Sequence, residues 1–286
     1  MMHTERFGSD STFETLLDSL RRALSVLAAH GYAVNPSSRF CQIQRQMENA
    51  IRVRDCGGSP SNIEWDVLYE GLGDIYELTS ITSLPYILTS CSREVQTVLS
   101  GAVIPYGDSH PHARNLQFQL FVTATLGLLG WSVTVAEPDI RFDYEGQTYC
   151  VAAKRVSVLS QIETRISEGR KQVAKAGIPG FIALGLEQVI RRKSNIVVAA
   201  HPDALWEPAE TLGNQLLEEV LRPAVLKNFD PMVVGYFVSM SIPAILPHLM
   251  SVGFSRMFRS IAVAPPTSPY HAVSMEIAQQ VYPPIL

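Results

Sequence analysis

The chain lacks a charge surplus that would name a partner. Its 23 Lys and Arg stand against 27 Asp and Glu, a net charge of −4 at pH 7, so any basic surface must come from local clustering. Cysteine is scarce. Cys41, Cys56, Cys91 and Cys150 show neither CxxC spacing nor a paired rhythm, which speaks against a disulfide framework and reads as reduced, mostly buried thiols of a cytosolic protein. The seven histidines form no HxxxH, HxH or cysteine-paired pattern, so a zinc site is not expected. No Walker loop, GxGxxG or GxSxG occurs, and nucleotide hydrolysis, dinucleotide binding and serine-hydrolase chemistry have no footing. Internal repeats and low-complexity tracts are absent as well. The first residues, MMHTERFGSDSTFE, hold no apolar segment, so a secretory signal is not expected and the reading is cytoplasmic.

What is present is an ordinary globular balance, 47% hydrophobic and 17% charged over 286 residues, enough for one large or two ordinary domains. One uncharged stretch, Pro231 to Ser255, has the length of a membrane span. Pro243, Pro247 and His248 in it would free backbone groups in lipid, so the expectation is a buried strand, MVVGYFVSM, then a turn and a short helix, with no membrane partner.

Up to about residue 110 the chain reads as a small helical domain. Ser11-Thr12-Phe13-Glu14 fits a capping box, and Leu16, Leu17, Leu20, Leu24 and Leu27 keep helical spacing up to the stop at His30-Gly31. A second helix is predicted from Arg39 to Val53, ended by Cys56-Gly57-Gly58. A third starts after Ser61-Asn62 and runs through Trp65, Leu68 and Leu72. The turn formers from Ile104 to Pro111 separate residues 1–110 from an α/β part, residues 111–286.

In the second part Arg114 to Leu129 is apolar on nearly every side, which predicts a helix buried in the middle of the fold. Trp131 to Val135 alternates as a strand, Ile140 to Tyr144 does so again after Glu137-Pro138-Asp139, and Thr148 to Lys154 returns after a Glu145-Gly146 turn. If that turn is a two-residue loop, Asp139 stands directly across from Ala152, with Cβ atoms about 5 Å apart. Lys154 then shares a sheet face with Ala152 and lies diagonal to Asp139. An amphipathic helix from Leu159 to Ala176 and an apolar strand from Gly180 to Leu184 follow.

Pro138-Asp139 opening a strand, a hairpin, and Ala152-Ala153-Lys154 ending the next strand resemble the signature of the PD-(D/E)xK superfamily of restriction-endonuclease-like proteins. The resemblance covers residues 114–184. It implies an α/β fold with a mixed central sheet flanked by helices, here preceded by the small α-helical domain. It also implies phosphodiester hydrolysis: Asp139 and the carbonyl of Ala153 as ligands of Mg²⁺ or Mn²⁺, Lys154 beside the attacking water, and Gln119 and Gln172 lining the site.

The family's acidic residue is replaced by Ala152, and Gln117 and Gln119 stand where many members carry a glutamate on the first helix. Three explanations fit Ala152: natural loss, a migrated ligand, or a deliberate substitution. Two functions follow. The first is a metal-dependent nuclease acting on DNA, with RNA as the second substrate class, serving restriction, repair or anti-phage defence. The other is a silent domain of the same fold that binds nucleic acid or assembles with a partner or a second copy through the N-terminal helices. Phosphate contacts are expected from Arg155, Arg165, Lys171, Arg191, Arg192 and Lys193, supported by Arg170 and Lys175.

Overall fold

The computed structural model describes residues 12–57, 59–104, 111–193, 197–198, 211, 213–246 and 251–281. Five helices come first: α1 (Phe13–Ala29), α2 (Arg39–Asp55), α3 (Trp65–Thr82) and the short α4 (Pro85–Ser90) and α5 (Ser92–Val98). The leucines of α1 are buried as their spacing predicts, and Gly31 and Gly57 end α1 and α2 with positive φ. The start of α1 differs from the expected capping box. Its cap is Thr12, whose hydroxyl accepts from Thr15 N, while Ser11 lies outside the described residues. Glu14 pairs with Arg54 of α2, and that guanidinium draws its carboxyl down to about 2.

The second part holds α6 (His112–Leu128), β1 (Ser132–Ala136), β2 (Asp139–Tyr144), β3 (Gln147–Arg155), α7 (Ile162–Ala176), β4 (Gly180–Gly185), α8 (Glu187–Lys193) and β5 (Val197–Val198). After a π-helical turn, Leu217–Leu221, come α9 (Arg222–Lys227), β6 (Val233–Leu246), β7 (Ser251–Ala262) and α10 (His271–Gln280). The sheet is mixed: β1, β2 and β3 are antiparallel, while β3, β4 and β6 run parallel. Such parallel pairs need crossovers, and α7 supplies one between β3 and β4.

The segment after Met240 corrects the expected turn and short helix. The strand runs on to Leu246 and β7 returns antiparallel along it. Pro243 pairs with Phe254 of β7, and among the described residues no strand pairs with it on the other side. Pro247 and His248 lie outside the described residues. No helix among those described is long and apolar enough to cross a membrane.

The two sheet faces carry separate cores. Cys150, Ala152, Ile182 and Leu184 join Ile162, Ile166 and Val173 of α7 on one side. Tyr149, Val151, Phe181 and Ala183 join Phe118, Phe121 and Val122 of α6 on the other. An aromatic row crosses that second face from strand to strand, Phe142, Tyr149, Phe181, Phe237 and Phe258, with successive centroids 5.5, 6.2, 4.6 and 6.0 Å apart. The all-round apolarity of α6 has its reason here. Phe118, Phe121 and Val122 face the sheet, while Leu120 and Ala124 belong to the core of α1 to α5.

A buried polar seam runs beside this shared helix. Arg114 Nη1 donates to both carboxylate oxygens of Asp74 at 2.9 and 3.0 Å, and Arg155 Nη2 to both of Glu77 at 2.7 and 2.8 Å. Gln117 Nε2 links the two carboxylates at 3.1 and 2.7 Å, and Arg39 donates to Gln117 Oε1. Burial works against the charge of Arg155, but Glu77, Glu187 and Asp74 outweigh it and hold the guanidinium more firmly protonated than usual. Removing one partner of such a pair strands the other in the interior. Glu77→Ala is therefore expected to lower unfolding free energy by about 3–5 kcal/mol in urea titrations. Arg21→Ala, which breaks a half-exposed pair with Glu48, should cost no more than about 1 kcal/mol; equal losses would contradict this role for the seam.

Candidate functional site

The β2–β3 hairpin places the candidate residues. Glu145 and Gly146 take φ of 49° and 78°, the backbone that a two-residue type I′ turn requires. The register runs from Tyr144↔Gln147 to Ile140↔Val151, which puts Asp139 level with Ala152 as the spacing predicts. On the other side Glu137-Pro138, with a cis bond, turns β1 into β2, so that Asp139 pairs with Ala136 and is the first residue of its strand.

Asp139 and Lys154 meet at the end of this hairpin. Lys154 Nζ lies 3.2 Å from Asp139 Oδ2 and 3.1 Å from the Ala153 carbonyl, and Ala153 N donates to the same Oδ2 at 2.8 Å. Both side chains are largely buried, with 15% and 21% of their surface exposed for Lys154 and Asp139. Burial pushes the Asp139 carboxyl above its ordinary range. The Lys154 charge and the Ala153 amide pull it down without cancelling the rise, and Glu137 adds to it.

Of the other expected site residues, Gln119 arrives: its Nε2 donates to the main-chain carbonyl of Asp139 at 2.8 Å. Gln117 does not, being fixed in the seam by Asp74 and Glu77. Gln172 is half-buried with its Oε1 lacking a hydrogen-bond partner among the described residues, and nothing there ties it to Asp139. Ala152 has 0% exposure and sits in the apolar cluster with Ile162, Ile166 and Ile182.

Arg155 requires a correction. Expected on a phosphate-binding face, it points to the α6 side, buried, spent on Glu77 and on the carbonyl of Arg114 at 3.0 Å. Strand alternation explains it, since neighbours of Lys154 must face the opposite side. Arg165 pairs with Glu168 at 2.8 Å, while Lys171 and Lys175 are exposed one turn apart on α7. Arg191, Arg192 and Lys193 close α8, and their side chains fall outside the described residues.

The donor set does not fit a divalent cation of the expected kind. Among the described residues no group of three or more His, Cys, Asp and Glu is arranged to hold a metal ion. Asp139 Oδ2 already accepts two donors, and the Ala153 carbonyl takes the Lys154 ammonium. Sequence reading missed the seam altogether. A signal was present: Glu70, Asp74 and Glu77 fall at helical spacing on one face of α3, and all three are buried.

A raised carboxyl binds its proton more tightly folded than unfolded. The contribution of Asp139 to stability is therefore fullest below its ordinary 3.8 and falls as pH rises through the folded value. Asp139→Asn keeps an acceptor for Ala153 N, so thermal midpoints of wild type minus variant should decrease from pH 4 toward pH 7. A difference that grows with pH would mean the ion pair dominates. As to relatives, no protein-family model matches the chain, and no curated protein or solved structure matches it significantly.

Proposed function

We propose that this chain is a nuclease-derived domain that binds nucleic acid, DNA first, without cutting it. The observation that carries the reading is the pairing of Asp139 with Lys154 and the Ala153 amide, beside a second acidic position that is an alanine closed within an apolar cluster. A one-carboxylate site holds magnesium weakly at best, because the ion keeps near-octahedral oxygen coordination and dehydrates reluctantly. Binding needs less. Exposed Lys171 and Lys175 on α7 offer two phosphate contacts on the side of the sheet that Lys154 faces.

The nuclease reading is favoured by one specific fact, the convergence of Asp139, Lys154 and Gln119 on a single strand end. The two readings part in one experiment. Single- and double-stranded DNA and RNA incubated with the protein and Mg²⁺ or Mn²⁺ should be retained in gel shifts and stay intact. Cleavage that disappears in Asp139→Asn would overturn the proposal. Changing Lys171 and Lys175 together to Gln should flatten the dependence of log K on log salt by about 2, near 0.9 per phosphate contact on duplex DNA. An unchanged slope would remove α7 from the interface.

A further inference from the structure

We infer that the Lys154 ammonium is a fixed internal counter-ion that takes the place of the divalent cation and closes Asp139 to metal. The inference rests on the nuclease-derived reading only in taking this hairpin as one that would otherwise hold metal. Two oxygens meet at its end, Asp139 Oδ2 and the carbonyl of Ala153. The ammonium lies 3.2 Å from one and 3.1 Å from the other. A magnesium ion held by these two oxygens would need the same lone pairs at about 2.0–2.1 Å, and it cannot share them with a positive charge that close. A carboxylate held by that ammonium carries no net charge as a pair, so it draws a further cation weakly. An ammonium is a compact charge with three donors and no open coordination position, so it neutralises the carboxylate without activating water.

Two features keep Lys154 in place. Its side chain is largely buried, and the next residue, Arg155, is clamped on the other face by Glu77 and the Arg114 carbonyl. The room for a second carboxylate is also gone. Ala152 is wholly buried among α7 isoleucines, and the packing there is tight enough that even a Cβ on Gly169 would fall 2.9 Å from Ile182 Cγ2. Swinging the ammonium out would thus leave one largely buried carboxylate and one carbonyl, a poor cage for any divalent ion.

The test is thermal unfolding of the full chain in MnCl₂ and in EDTA, with wild type, Asp139→Asn and Lys154→Glu. Wild type should melt at one midpoint in both. In Lys154→Glu two carboxylates face each other beside the Ala153 carbonyl, so its midpoint should drop in EDTA and recover saturably with Mn²⁺. A wild-type midpoint that climbs with Mn²⁺, and stops doing so in Asp139→Asn, overturns the inference, as does a folded Lys154→Glu protein indifferent to Mn²⁺. Should Lys154→Glu not fold, a Mn²⁺ titration of wild type followed by electron paramagnetic resonance decides. An undiminished free-ion signal supports the counter-ion, and a signal quenched by wild type but not by Asp139→Asn refutes it. Cleavage of nucleic acid in EDTA would defeat the proposed function and leave the counter-ion standing. Mn²⁺ bound at Asp139 without cleavage would do the reverse.

Discussion

The left-handed backbone of Glu145 and Gly146 governs where everything at the site stands. A two-residue turn admits one register, and in that register Asp139 comes level with Ala152 and within reach of Lys154. One residue more in the loop would send the ammonium to the α6 side of the sheet and bring Arg155 to the α7 side. The chemistry of the hairpin end is thus decided by two φ angles at its far end, six and seven residues on from Asp139. Alternation then assigns the two cations opposite tasks. Lys154 neutralises the carboxylate on one face, while Arg155 anchors β3 to the helical part on the other.

That anchoring makes the N-terminal helices part of the site's support. Glu77 and Asp74 of α3 hold Arg155 and Arg114, while α6 packs its leucine and alanine into the helical core and its phenylalanines onto the sheet. Buried ion pairs contribute little net stability over apolar replacements but are costly to break singly, so the seam fixes arrangement more than it adds free energy. The end of β3 is held from beneath by charges that never reach solvent.

Much of this was legible in the residues. Period-two alternation and the Glu-Gly turn give the hairpin and its register, because a two-residue loop leaves no freedom; leucine spacing gives α1, and glycine stops mark the ends of α1 and α2. The long strand past Met240 was not legible, since Pro243 argues locally against a central strand and only the pairing with β7 carries the strand past it. Arg155 was misread for a different reason. It sits beside Lys154 in sequence, and only strict application of alternation sends it to the other face. The seam was hidden because its members come from residues 39, 74, 77, 114, 117 and 155, which no local pattern joins.

For function, the strand end gathers an aspartate, a lysine and a glutamine, and its electrostatics decide what it can hold. A site built for a divalent ion concentrates negative charge and leaves it for the ion to neutralise. Here Lys154 supplies the neutralisation, and Ala152 beside it lies in an apolar core. Crystals of the full chain soaked in MnCl₂ and measured at the manganese absorption edge test this most directly. The account predicts Lys154 Nζ between Asp139 Oδ2 and the Ala153 carbonyl, with no anomalous peak bound to Asp139; a peak there with Lys154 turned away would contradict it.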